Sequence, residues 1–203
     1  MYKSIIKGFT ALACLALAHT SIAAPIKMTS PNGTQLLSFD LDFKGAPSYA
    51  LSYKGKVIVQ PSTMGLALVE GGDLRDGFVI ERIDSSAVNT TWSPVWGEES
   101  SINNNYKELS VLLRQDGSKP RKMLVTFRVF NDGIGFRYSF PQQPNLFHFS
   151  VKDEHTYMRL AGNHKAWWLP GDYDTNEYPP REGKMSSVFD WKPGGDDEIF
   201  AKT

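Results

Sequence analysis

Residues 123–140 read Met-Leu-Val-Thr-Phe-Arg-Val-Phe-Asn-Asp-Gly-Ile-Gly-Phe-Arg-Tyr-Ser-Phe. Met123, Val125, Phe127 and Val129 fall on one side of an extended chain, and Lys122, Thr126 and Arg128 on the other. This period of two marks a half-buried strand. Asn131-Asp132-Gly133 is the turn chemistry that tight hairpins favour. Ile134, Phe136, Tyr138 and Phe140 then resume the alternation, so the stretch predicts a β-hairpin.

The same pattern recurs on the N-terminal side. Leu37, Phe39, Leu41 and Phe43 alternate with Ser38, Asp40 and Asp42. Tyr49–Tyr53 and Val57–Val59 flank Lys54-Gly55-Lys56, a second hairpin loop. Met64–Val69, Phe78–Ile83 and Leu109–Leu113 add further apolar runs, and Gly71-Gly72-Asp73 ends the first of them. No segment carries a sustained helical period. Short strands separated by Gly, Pro, Asn and Asp imply an all-β fold, an antiparallel β-sandwich. The expected inward residues are Phe39, Leu41, Val125, Phe127, Val129, Phe136 and Tyr138.

The N-terminus reads as an export signal. Lys3 and Lys7 precede an apolar stretch from Phe9 to Ala18, and Ser21-Ile22-Ala23 supplies small residues for cleavage after Ala23. Residues 1–23 are therefore expected to be a signal peptide and 24–203 the domain, with a periplasmic or secreted location. The apolar stretch falls short of the ~20 residues of a membrane span. Cys14 is the only cysteine and lies within the signal, which leaves the domain without disulfides. Beyond residue 23 there are 20 basic and 22 acidic residues and no basic stripe, which argues against nucleic acid as a partner.

Chemistry concentrates in Ala166–Tyr178, Ala-Trp-Trp-Leu-Pro-Gly-Asp-Tyr-Asp-Thr-Asn-Glu-Tyr. Trp167 and Trp168 are candidates for stacking on sugar rings. Asp172, Asp174 and Glu177 are candidates for binding sugar hydroxyls or calcium, which takes carboxylate and carbonyl oxygens from flexible loops. A solvated acidic loop is the alternative reading. A glycosidase needs two carboxyl groups across the scissile bond, and nothing here singles out a pair. Trp92 and Trp96, near Glu98 and Glu99, form a second aromatic cluster, expected to be core before sugar platform. His148, His155 and His164 lack metal-ligand spacing.

Several blocks, in order, resemble glycoside hydrolase family 97. They are Ser30-Pro31-Asn32-Gly33, Tyr49–Ile58, Ser62–Leu66, Trp96-Gly97-Glu98 followed by Asn105–Leu109, the hairpin Phe127–Tyr138, and Trp168–Tyr178. The resemblance implies an exported α-glucosidase or α-galactosidase. Such enzymes carry an N-terminal β-supersandwich, a catalytic (β/α)8 barrel and a small C-terminal β domain. It also implies calcium at the active site, held by barrel glutamates and one N-terminal glutamate, which by motif position is Glu177. Asp172 and Asp174 match the motif without a carried-over role. The catalytic residues of the family lie in the barrel, so none is expected in this chain, and the sandwich is expected to be incomplete at its C-terminus. The expected role is to pack on the barrel and wall an α-glucoside or α-galactoside site. The alternative is a free-standing periplasmic carbohydrate-binding sandwich.

Overall fold

The computed structural model describes residues 24–169 and 179–188. In chain order the strands are β1 Ile26–Thr29, β2 Gln35–Leu41, β3 Pro47–Tyr53, β4 Lys56–Thr63, β5 Leu66–Leu68 and β6 Phe78–Trp92. They continue with β7 Ile102–Gln115, β8 Lys122–Phe130, β9 Ile134–Ser139, β10 Val151–Glu154, β11 Lys165–Trp168 and β12 Arg181–Lys184. The helical content of the described residues is one 3-10 turn, Met185–Ser187.

Two four-stranded antiparallel meanders, β1-β2-β3-β4 and β6-β7-β8-β9, form the two layers. Turn chemistry sets their registers. Lys54 and Gly55 both have positive φ, 48° and 78°, and join the paired residues Tyr53 and Lys56. That is the two-residue loop whose twist matches its strands.

The core lies where the inner faces meet. Met123, Val125, Phe127 and Val129 are completely buried, as are Leu37 and Phe39. Leu41, Phe136 and Tyr138 are half-buried and pack against this cluster. Phe127 sits at its centre, 5.8 Å from Phe39, 6.1 Å from Tyr49 and 6.0 Å from Phe136. Two of these rings come from the first sheet and one from a strand beside Phe127, so one side chain welds the layers.

Two expectations from the sequence fail here. Phe43 does not continue the alternation of β2 and is 90% exposed. The Asp42 carboxylate accepts the amides of Lys44 and Ala46, each at 2.8 Å, and turns the chain before Phe43 can face inward. Trp92 and Trp96 are not core: they are 52% and 90% exposed. The pairing of β7 with β8 begins at Tyr106, while Trp92 pairs with Ile102 further out. The β6–β7 hairpin thus outruns its sheet and carries both tryptophans past the layer that would cover them.

Residues 151–161 run along the free edge of β4 and β5. Gln60 N donates to Arg159 O at 2.8 Å, Tyr157 N to Thr63 O at 3.0 Å, and Ala161 N to Ile58 O at 3.1 Å. Two core tyrosines hold this segment from inside. The Tyr49 hydroxyl donates to Tyr157 O at 3.1 Å, and the Tyr138 hydroxyl lies 2.6 Å from Thr156 Oγ1 while accepting the Gly65 amide at 3.1 Å. Burial pushes Tyr138 up to about 12 and also raises Tyr49. A raised tyrosine pKa favours the folded state while the group is protonated. That contribution is complete below the unfolded value of about 10 and is lost as pH rises toward 12. Stability is expected to fall between about pH 10 and 12. Tyr138→Phe, which has no proton to lose there, is expected to flatten that fall in urea melts, at a cost of about 1–2 kcal/mol at neutral pH. An equally steep fall in the variant would remove Tyr138 as its source.

Candidate functional site

Beyond the edge segment the chain forms a small ribbon of β11 and β12, which pairs Lys165 with Lys184, Trp167 with Glu182 and Trp168 with Arg181. Its base is pinned to the turn that follows. Met185 N donates to His164 O at 3.0 Å, and the Asn163 amide group both donates to Ser186 Oγ at 2.9 Å and accepts the Ser186 amide at 3.0 Å. Asp172, Asp174 and Glu177 fall between β11 and β12 in the sequence. These three, with Tyr173 and Tyr178, lie outside the described residues.

The two adjacent tryptophans do not form one platform. Successive residues of a strand point to opposite faces, and each ring meets a different neighbour. Trp168 is half-buried and lies over Gly183, where an added Cβ would come within 3.0 Å of Trp168 Cη2. Its Nε1 is buried and unpartnered among the described residues. Trp167 is 64% exposed on the other face. Its Nε1 donates to Glu182 Oε2 at 2.9 Å, Lys165 Nζ sits 4.8 Å from its ring centroid, and Lys165 Nζ pairs with Glu182 Oε1 at 2.6 Å. Sequence reading found Trp167 but missed Lys165 and Glu182. The second partner stands in β12, and its distance from Trp167 in the sequence conceals the register.

A cleft of about 1180 Å³ lies elsewhere, and neither Trp167 nor Trp168 lines it. Two of its acidic groups have local structural partners: Asp73 pairs with Arg75 at 2.5 Å, and Asp116 with Arg114. Arg121 braces the cleft by donating at 2.9 Å to the carbonyls of Gly71, Gly72 and Asp73, and at 2.8 Å to Gln115 Oε1. Burial lowers its pKa, and Asp73 opposes that shift. This is loop architecture, since the guanidinium protons are spent on backbone carbonyls.

Among the described residues no group of three or more His, Cys, Asp or Glu is placed to hold a metal ion. The ring of His148 packs against Phe147 at 4.5 Å, and His155 Nε2 lies 3.8 Å from Asp153. The carboxylates suggested for calcium fall outside the described residues.

Solved structures resemble this sandwich over about three quarters of the chain. A Glycoside Hydrolase Family 97 enzyme from Pseudoalteromonas sp. strain K8 in complex with acarbose is 26% identical with a TM-score of 0.73, covering 78% of this chain and 24% of that one. A variant of such an enzyme from the same strain, in complex with panose, is 26% identical with a TM-score of 0.72, covering 77% and 24%. A β-arabinopyranosidase shares the fold at 23% identity and a TM-score of 0.64. This chain thus spans about a quarter of the length of those enzymes. A family model described as Glycosyl-hydrolase 97 N-terminal matches residues 28–192, across both sheets and the tryptophan ribbon, and the chain belongs to that family of glycoside hydrolase N-terminal domains.

Proposed function

We propose that this chain is the non-catalytic N-terminal domain of an exported, calcium-dependent α-glycosidase of the α-glucosidase or α-galactosidase type. The family match through residue 192 carries the reading, because it includes the acidic loop after Trp168. Related enzymes bound to panose and acarbose support a carbohydrate ligand. In this reading the sandwich packs on a catalytic (β/α)8 barrel and walls the sugar site. Glu177 gives calcium one ligand, and barrel carboxylates give the rest. Calcium, when bound, supplies positive charge beside the sugar, and this chain's part is to hold one carboxylate there. Residues 1–23 direct export and are cleaved after Ala23.

The test is a chimera in which residues 24–203 replace the N-terminal domain of the Pseudoalteromonas enzyme. It is expected to hydrolyse an α-glucoside or α-galactoside, whereas the domain alone does not. Glu177→Gln in the chimera is expected to weaken calcium binding about tenfold or more, roughly 1.4 kcal/mol, and to lower activity while the sandwich stays folded. The isolated domain should bind calcium weakly, because the ion takes about six to eight oxygens. Unaltered calcium affinity in Glu177→Gln, measured by calorimetry, would remove Glu177 from the site.

The exposed Trp167 also suits a second reading, a free-standing periplasmic carbohydrate-binding sandwich. The reading frame after Thr203 separates the two: a barrel-encoding continuation favours the first, and a stop codon with a stable secreted product favours the second.

A further inference from the structure

We propose that Trp167 is a one-faced platform for a pyranose ring, and that Lys165 and Glu182 are its positioning residues. The proposal rests on the reading of this domain as a wall of a sugar site, and adds the residues that make the wall.

The geometry begins with register. Trp167 and Glu182 are cross-strand partners, and Lys165 stands two residues before Trp167. All three therefore share one face of the ribbon. Glu182 uses both carboxylate oxygens: Oε2 takes the indole N–H at 2.9 Å and Oε1 takes the Lys165 ammonium at 2.6 Å. The ammonium is drawn over the indole, 4.8 Å from the centroid. The ring is thus fixed at its nitrogen edge and covered on one side. An indole that remains 64% exposed under such a clamp presents its other face and its benzene edge to solvent.

Each alternative ligand chemistry meets a specific obstacle. A second cation over the ring would be repelled by Lys165. A hydrogen-bonding ligand finds the indole N–H already engaged. A neutral ring with polarised C–H bonds fits, because those hydrogens meet the negative face of the aromatic system. The apolar face of a pyranose is such a surface. The clamp also lowers the ordering cost of binding, since the indole need not be immobilised afresh.

The test is a panose titration of the 15N-labelled chain, followed through its five indole N–H signals. Trp167→Phe assigns the Trp167 signal by its disappearance. That signal is expected to shift saturably with panose. Glu182→Ala is expected to weaken panose binding about fivefold or more and to increase acrylamide quenching of the Trp167 fluorescence. Glu182→Gln keeps an acceptor for the indole and should recover much of the affinity, which a merely structural defect would not. Should Glu182→Ala fail to fold, the Lys165→Met variant reports on the same clamp, with a loss of similar direction.

A Trp167 signal that stays fixed while panose is raised would overturn the proposal, as would panose affinity unchanged in Glu182→Ala or Lys165→Met. Perturbation of Trp167 by the catalytic domain in place of panose would overturn it too, and mark the residue as a domain contact. An active chimera with a silent Trp167 defeats this inference alone. An inactive chimera with a panose-responsive Trp167 defeats the wider functional reading alone.

Discussion

Phe127→Ala is expected to destabilise the domain by about 3–5 kcal/mol, the range for emptying an aromatic site in a packed core. Phe127 is completely buried and touches rings from both sheets, Phe39 and Tyr49 on one side and Phe136 on its own. No single neighbour can swing in to fill the space, because each is held by its own strand. A domain of this size has a total stability of about 5–15 kcal/mol, so the loss is a large share. Urea denaturation should show a lower midpoint with little change in slope. Phe127→Leu, which keeps most of the volume, should lose about 1.5 kcal/mol or less. A loss below about 1 kcal/mol for the alanine variant would mean that the two sheets are not joined through this ring.

Gly45→Ala is the second large effect. Gly45 closes the turn between β2 and β3 with φ of 73°, where an L side chain is strained. An added Cβ would meet the backbone nitrogen and oxygen of Phe78 well inside contact distance. Those atoms belong to the first residue of β6, and the turn is bonded to them. Phe78 N donates to Gly45 O at 3.1 Å, and Gly77 N to Lys44 O at 2.8 Å. Backbone cannot step aside as a rotamer can, so the junction between the two sheets must open. A loss of about 2–4 kcal/mol is expected, combining the strain of a left-handed backbone with broken contacts. Gly55→Ala is the control. Its φ is 78°, but nothing lies within 4 Å of the added Cβ. It should lose only the conformational part, about 1–2 kcal/mol. Equal losses at the two glycines would show that the clash at Phe78 is relieved.

The strands were legible where local signals agreed. In β8 and β9 the alternation is clean, and a turn motif lies between two apolar runs. The Lys54-Gly55-Lys56 loop was readable from its glycine, which takes positive φ freely, although Lys56 belongs to β4 and the loop proper is Lys54-Gly55. Phe43 misled because its spacing continued the pattern of β2. The strand ends there for a reason outside hydropathy, since Asp42 takes the Lys44 and Ala46 amides. Trp92 misled for a different reason. Its strand periodicity is genuine, but periodicity does not say whether another layer covers that level of the hairpin.

The ribbon divides along the same line. Residue order alone puts Trp167 and Trp168 on opposite faces, because side chains alternate along any strand. Order also supplied the family blocks, the all-β class and the grouping of Trp167 with Asp172, Asp174 and Glu177. It could not say which tryptophan is covered. Gly183 leaves room for Trp168, while Glu182 and Lys165 hold Trp167 at the surface. Lys165 shares β11 with Trp167, but Glu182 and Gly183 stand in β12, and the register between strands so far apart in the sequence is not written locally. Period-two chemistry is a property of neighbouring residues and survives in the bare chain. Burial, cross-strand pairing and the open face of an indole are properties of what folds against them, and they exist only once both strands are in place.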